Sequence, residues 1–582
     1  MDWHCDEKTS ALFRHYSLQN ALEYDGDGKV GSVIGRIMAE RPDLRQHGEL
    51  ISAMLAAEVK TANDLVKSSG LGHLRSILET EAPHLLAKRS KERREGLPPL
   101  PNAIEGEVVL RFAPNPNGPL SLGHGRGVVI NAEYAKLHDG ELILRFDDTD
   151  TSRKPPLPEA YAQIAEEVEW LAGFPPHRTI FASDRIETYY EYAEEIISEG
   201  GAYVCNCSGD DFKLFRQQKT ECPCRGLDER ENLSRWKQML EPDSIPGSAV
   251  VRIKTEMGLK NPALRDWPAL RIQDTTAHPH PRPEIGSRFR VWPLLDFQSA
   301  IEDHLQGVTH IIRGKDLMDS TRKQMLLYEK YGWNYPETIY WGRVKIHEFG
   351  GFSTSGMRRA IEAGEWTGWD DPRLPTIATM QRRGIQPRAL RKFWIELGLT
   401  QKDIAVSLAT LYSHNRKIID STTPRLSFVR DPVEIELSSA DCDPQSEISI
   451  ASHPSSDLGQ RTIEIIWRDD STEVIVERSD LESHDSGLRL KEWCDISPPT
   501  DGQSSMLSLN TQGDYPIIHW LPTNSPPAIL LKPEGDELDI ISGNLEVNTH
   551  PVGTIVQLER VGYARIEADD EDGGKVLIHL HD

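Results

Sequence analysis

Residues 107–126 read EVVLRFAPNPNGPLSLGHGR. Val108 to Phe112 is an apolar run of strand character. A turn rich in Pro, Asn and Gly follows, and Gly123, His124, Gly125 and Arg126 then open a helical pattern, GVVINAEYAKL. A strand, a Gly/Pro turn and a helix N-terminus make an anion site: unpaired N–H groups and the helix dipole face the ligand, and glycine lets it approach the backbone. A histidine there can donate a hydrogen bond to a phosphate oxygen as charge builds in a transition state.

Working outward, short apolar strands alternate with helical patterns up to about residue 200. VVLRF precedes a helix from Gly123 to about His138; LILRF precedes one near Glu159–Leu171; TIFAS precedes one near Ile186–Ser198. That alternation predicts a parallel sheet with helices on its faces. Residues 203–290 break the rhythm, and VTHIIRG (308–314) and TIYWG (338–342) resume it around a helix near Ser320–Tyr331, so an insertion splits the α/β domain. Residues 1–90 and 370–420 read as helical, and KRSKERREGLPPLPN (88–102) as a charged, Pro-rich linker. After about 424 the pattern becomes short alternating strands, which predicts one or two β-barrels. DGDGK (25–29) reads as a turn: an EF-hand loop starting at Asp25 would put Val30 where glycine is required and Arg36 where glutamate is.

At 582 residues the chain exceeds what one core supports. With 27% charged residues and no uninterrupted apolar span, it is expected to be soluble and free of membrane segments. The start MDWHCDEKTS lacks the basic and apolar regions of a secretion signal, so a cytoplasmic location is expected. Seven cysteines is an odd number, and four form two close pairs, Cys205-x-Cys207 and Cys222-x-Cys224. Such pairs can set four thiolates tetrahedrally around a structural zinc ion, with no coordination position left open. The net charge of −25 is concentrated at one end: residues 431–582 hold 9 Lys and Arg against 31 Asp and Glu. Such acidity disfavours a polyanionic partner there and suits solubility or a salty habitat.

RFAPNPNGPLSLGHGR, ILRFDDTD (143–150), GVTHIIRGKD (307–316) and FSTSGM (352–357) occur in that order. Together they resemble the glutamyl-tRNA synthetases of archaeal type, within the class I aminoacyl-tRNA synthetases. The resemblance covers nearly the whole chain. It implies an α/β fold with a split Rossmann-like core: a helical N-terminal extension (1–100), the first half of the catalytic domain (101–202), a zinc-bearing insertion that grips the tRNA acceptor end (203–290), the second half (291–345), a helical domain with the mobile loop (346–423) and anticodon-binding β-barrels (424–582). The implied reaction ligates L-glutamate to tRNA(Glu), and in many archaeal-type members to tRNA(Gln) as well, by way of a glutamyl-adenylate with ATP and Mg2+; a monomer is the default expectation.

SLGH matches the family's HIGH motif, with Ser121 in place of its first histidine. FSTS stands where many class I enzymes have KMSKS, with Thr354 in place of the second lysine. By resemblance, Ser121, His124, Ser353, Thr354 and Ser355 serve catalysis, and Gly118, Gly123, His124, Ser353, Ser355 and Lys345 bind ATP; Arg358 and Arg359 are further candidate cations. Arg111, Asn115, Asp147 and Arg313 match positions that hold glutamate. Arg pairs with carboxylates, and Asp147 takes the ammonium. Arg313 ends an apolar strand, where a guanidinium is costly without a partner. In glutamyl-type enzymes it meets the γ-carboxylate; glutaminyl-type enzymes lack it. Leu295 in WPLLDF departs from relatives that place tyrosine there. Arg382, Arg383, Arg388, Arg391 and Lys392 are candidates for RNA phosphates, and Arg461, Arg468, Trp493 and Trp520 for anticodon contacts. A glutaminyl-tRNA synthetase and a non-catalytic RNA-binding relative are the alternatives.

Overall fold

The structure is a computed structural model, and it describes residues 5–86, 96–350, 353–439, 442–455, 457–509, 514–569 and 573–582. Most of the basic linker and Phe352 of the FSTS motif lie outside the described residues. The chain divides into two compact units, Met1–Glu95 and Gly96–Asp582.

The described residues of the first unit include the helices Glu7–Glu23, Val30–Glu40 and Gly48–Glu81, the last broken by a kink at Gly70. Asp6 caps the first: its carboxylate accepts from the Thr9 N–H at 2.7 Å. Phe13, Val33, Ile37, Ile51, Leu55 and Val59 close a small core between them. DGDGK is the turn between the first two helices. Asn20 and Asn63 accept from the Lys29 and Gly28 N–H groups and staple that turn down.

The second unit holds the parallel sheet. Val109–Phe112 pairs with Glu141–Phe146, which pairs with Arg178–Phe181, all parallel. His310–Gly314 pairs in parallel with Glu337–Trp341. The Thr309 N–H donates to the Val109 carbonyl at 3.0 Å and sets this second pair beside the first strand. Strand order therefore reverses between Val109–Phe112 and His310–Gly314, and the carboxyl ends of the strands on either side of such a reversal form a ligand crevice. The helix Leu122–Leu137 packs on this sheet through Val128, Val129, Ile130 and Tyr134, against Leu110, Leu142 and Leu144.

The interruption is an antiparallel sheet of Ala202–Cys205, Val250–Ile253, Pro268–Ile272 and Val291–Pro293. Beyond the sheet come the helices Thr354–Glu362, Ile377–Arg383, Pro387–Leu397 and Ala409–Ile419. This region is not wholly helical, because Ile404–Val406 pairs in parallel with Val344–Ile346. Among the described residues, the end of the chain forms a separate two-stranded sheet, Glu447–Ala451 with Gln460–Glu464, and two seven-stranded, barrel-like sheets. One is built from Arg425–Arg430 together with Pro527–His581, and the other from the intervening segment plus Pro432–Ser438, so the second is inserted into the first.

Gly140 joins the helix Leu122–Leu137 to the next strand, and a Cβ there would sit 2.2 Å from the Val108 carbonyl oxygen. Backbone cannot step aside as a side chain can. Gly140→Ala is expected to cost about 1–3 kcal/mol, read as a lowered thermal unfolding midpoint. Gly209→Ala, where no atom lies within 4 Å, is the control and should leave the midpoint unchanged.

Candidate active site

Ser121 caps the helix Leu122–Leu137 in a capping box with His124. Its Oγ accepts from the His124 N–H at 3.3 Å, and His124 Nδ1 accepts from the Ser121 N–H at 3.2 Å. The neutral ring therefore carries its proton on Nε2. Surrounding protein and the Lys154 ammonium both push the His124 pKa below the ordinary histidine range, although the residue is open to solvent on one side. Ser121 thus contributes to local structure at a position where histidine would carry a ring. Gly123 leaves open space at the helix mouth, with only Ser121 Oγ near the place of a Cβ (3.7 Å). Gly125 has a different reason: a Cβ there would crowd Ile377 at 3.1 Å.

The turn is held from two sides. Leu122 N–H donates to the Pro375 carbonyl (2.7 Å) and Ile377 N–H to the Leu120 carbonyl (2.8 Å), so the turn is bridged to the start of the helix Ile377–Arg383. Glu167 Oε2 accepts from the Leu120 N–H at 2.8 Å; burial pushes its carboxyl up to about 8. Thr354 and Trp369 pack on Gly118, where a Cβ would lie 2.9 Å from Thr354 Cγ2. The second loop is thereby seated on the first. Ser353 caps the helix Thr354–Glu362, accepting from the Gly356 N–H at 3.1 Å, and Ser355 Oγ lies 3.5 Å from Ser353 Oγ. Lys345 and Arg359 are exposed, while Arg358 pairs with Glu362 at 2.8 Å.

A chain of buried charges lies across the strand ends. Arg111 donates to both oxygens of Asp303 (3.1 and 3.4 Å). Arg145 donates to Asp303 (2.7 Å), to Ser299 (2.8 Å) and to Asp147 Oδ1 (2.8 Å), and the Gln298 amide donates to the same Oδ1 at 2.8 Å. Asp147 Oδ2 accepts from no described residue. Burial pushes the Asp147 carboxyl up, and Arg145 offsets this only in part. Burial acts on Asp303 in the same sense, but the Arg111 and Arg145 charges outweigh it and hold Asp303 below the usual carboxylate range. Asn115 ties the first loop to this segment by donating to the Asp147 carbonyl at 3.2 Å. The neighbouring Asp148 is structural: it accepts from Ser183 N–H (2.8 Å), Ser183 Oγ (2.7 Å) and the Tyr161 hydroxyl (2.9 Å).

Arg313 is 6% exposed and has no carboxylate partner among the described residues. The two N–H groups of its Nη2 are shared among three neutral oxygens, Thr321 Oγ1 (2.7 Å), Gln324 Oε1 (2.9 Å) and the Tyr335 hydroxyl (2.7 Å). Its Nε is buried without a partner. Burial, and the like charge of Arg111, pull its pKa down. Leu295, at the start of the helix Leu295–Leu305, is 46% exposed.

The four cysteine sulfurs lie within 4.8 Å of one another. Cys205 and Cys222 are 3.9 Å apart, and Cys207 and Cys224 are 3.8 Å apart. A tetrahedron of four Zn–S bonds of ~2.3 Å has edges of about 3.8 Å, so the group has the size and chemistry of a closed thiolate site.

Several candidates from the sequence have other work. Arg383 is buried and donates to the His579 and Leu580 carbonyls (3.3 and 2.5 Å). Arg382 pairs with Glu567 at 2.8 Å, and Arg391 donates to the Leu171 carbonyl at 3.0 Å. Arg388 and Lys392 remain exposed. Arg461 pairs with Glu546 at 2.6 Å, and Trp493 and Trp520 are buried in the barrel core, which removes them as base-stacking residues; Arg468 is exposed. Sequence reading missed Arg145, Asp303, Gln298, Lys154 and Glu167. The signal for Arg145 was present: an arginine two residues from Asp147 inside the apolar run ELILRF shares its strand face.

Residues 107–421 match the model of the catalytic domain of class I tRNA synthetases (E and Q), and residues 423–505 match the anti-codon binding domain of the same class. The chain is 44% identical over 575 residues to a glutamate–tRNA ligase of Methanosarcina mazei, covering 96% of each chain. It is 44% identical over 577 residues to one of Methanothrix thermoacetophila, covering 97% of this chain and 98% of that one. It is 41% identical over 579 residues to one of Archaeoglobus fulgidus, with the same coverages.

Glu167 makes a pH test. Its folded pKa, about 8, lies above the ordinary 4.5, so the stability it contributes is complete below 4.5 and is lost as pH rises through 8. Glu167→Gln keeps an oxygen for the Leu120 N–H and removes the titration. Relative to the variant, the wild type should lose up to ~1.4 kcal/mol per pH unit across that window, measured by denaturant unfolding from pH 5 to 9.

Proposed function

Because the chain belongs to the class I tRNA synthetases of the E and Q kind, we propose that it ligates L-glutamate to tRNA by way of a glutamyl-adenylate. The observation that carries the choice of amino acid is Arg313: a buried guanidinium at the crevice, held by neutral groups and lacking an anion. The γ-carboxylate of glutamate supplies that anion. A glutamine amide leaves the cation unpaired, at a cost on the order of ~3–5 kcal/mol by analogy with broken buried pairs, which disfavours the glutaminyl reading.

ATP binds with its phosphates at the mouth of the helix Leu122–Leu137, where Gly118 and Gly123 allow close approach. Asp147 Oδ2 receives the α-ammonium, while Arg111 and Arg145 add positive charge behind the pocket. The glutamate α-carboxylate attacks the α-phosphorus, and pyrophosphate leaves. His124 donates from Nε2 to a phosphate oxygen as charge moves onto it; a neutral donor suffices because the helix terminus already favours anions. The hydroxyls of Ser353, Thr354 and Ser355, brought onto the first loop through Gly118, face the leaving pyrophosphate, with Lys345, Arg359 or Lys154 as its cation. Magnesium accompanies ATP and neutralises phosphate charge. The terminal ribose hydroxyl of tRNA then attacks the acyl carbon and AMP leaves. No protein nucleophile takes part; positioning and charge stabilisation supply the catalysis.

The tRNA acceptor end meets the antiparallel insertion, whose Cys205, Cys207, Cys222 and Cys224 hold a structural zinc ion. The body of the tRNA runs past Arg388 and Lys392, and the anticodon reaches the acidic barrels, where reading rests on local contacts to unpaired bases.

Aminoacylation with labelled Glu and labelled Gln, on separate glutamate- and glutamine-specific transcripts, tests the reading. Glu on the first transcript, with or without Glu on the second, is the expected result; Gln on either overturns it. Metal analysis should find one zinc per chain, and Cys222→Ser should lower that content and weaken tRNA binding while leaving ATP binding intact.

A further inference from the structure

We propose that Gln324 is a positioning residue that sets amino-acid selectivity, by holding Arg313 without neutralising it. The proposal rests on the reading of Arg313 as the partner of the substrate's side-chain carboxylate. Arg313 ends the strand His310–Gly314, and Thr321 and Gln324 lie one turn apart on the helix Met318–Tyr331 beside it. Gln324 is fully buried. A buried guanidinium has to be oriented by acceptors, and the strongest acceptor, a carboxylate, would form a closed ion pair and leave nothing for a substrate.

The structure uses neutral acceptors throughout. The hydroxyl protons of Tyr335 and Thr321 are spent elsewhere: Tyr335 donates to Gln324 Oε1 at 2.7 Å and Thr321 to the Leu317 carbonyl at 3.4 Å, while Thr321 Oγ1 also accepts from Tyr340 at 2.5 Å. The second lone pair of Thr321 and the oxygen of Tyr335 are thereby left for Arg313 Nη2. Gln324 Oε1 receives two donors, Arg313 and Tyr335, which fixes which end of the amide faces the arginine. Its Nε2 is consequently a buried donor with no partner among the described residues, as is Arg313 Nε. A group with surplus donors and no anion is complete only when an acceptor-rich ligand arrives. Glutamate at position 324 would match glutamine in shape and supply that anion from within.

Steady-state aminoacylation of wild type, Gln324→Glu and Gln324→Met, with saturating ATP and tRNA, tests this. Gln324→Glu should raise KM for glutamate by about tenfold or more, leave KM for ATP unchanged and narrow the Glu/Gln ratio of kcat/KM. Gln324→Met, which removes the acceptor and adds no charge, should raise KM for glutamate less. Either variant with a wild-type KM and ratio overturns the proposal, as does a larger effect from Met than from Glu, since simple loss of packing would follow that order. If Gln324→Glu does not fold, Tyr335→Phe decides: it frees both Arg313 and Gln324 of a partner, and an unchanged KM for glutamate overturns the proposal. Wild-type enzyme that charges glutamine, or nothing, defeats the underlying reading of Arg313 whatever the variants do.

Discussion

Asp303 is the charge on which the crevice is organised. It is fully buried, and it accepts from Arg111 on the first strand and Arg145 on the second. Removing a carboxylate so placed would strand two guanidinium groups in a medium that solvates them poorly. Because Asp303 sits on a helix that follows the insertion, it can reach them only when both halves of the split domain are assembled. The same contact that stabilises the domain also orients Arg145 toward Asp147. Assembly of the fold and preparation of the proposed ammonium site are therefore one event.

The proposed phosphate side is built by different means. Its donors are backbone N–H groups and a neutral histidine, set by a capping box, a two-bond bridge to Pro375 and Ile377, and the carboxyl group of Glu167. The proposed amino-acid side carries full charges in a buried crevice; the proposed phosphate side carries partial charges at an open one. That division suits the ligands. A carboxylate is recognised by a matched cation, whereas a chain of phosphates with its own metal ion needs many weak, well-aimed dipoles.

Much of this was legible in the sequence. Strand-and-helix alternation gave the parallel sheet and its interruption, and the spacing of Gly123, His124 and Gly125 marked the turn at the head of the helix Leu122–Leu137. Cysteine spacing anticipated sulfurs that the fold brings together. What could not be read were contacts whose partners are remote in sequence. Nothing local distinguishes Arg383, locked onto the last strand of the chain, from Arg388, left in solvent four residues after Gly384. Nor does an aromatic residue in a strand reveal its face: Trp493 and Trp520 occupy the barrel core instead of its surface. Ser121 shows the reverse case, in which a departure from the expected histidine has a local explanation because a serine is a good helix cap.

The insertion of one barrel-like sheet within the other bears on how the polypeptide is made. Phe428 pairs with Leu545, and Arg425 with Gln557. A ribosome releases the early strands of the outer sheet long before their neighbours exist, while every strand of the inner sheet has its partners within the segment from Pro432 to Pro522. The inner sheet can close while synthesis continues, and the outer one waits for the last strand. Loop-closure cost grows slowly with length, so the wait is tolerable thermodynamically, but it leaves apolar strand edges uncovered for a time. The dense negative charge of this region opposes the association of like chains.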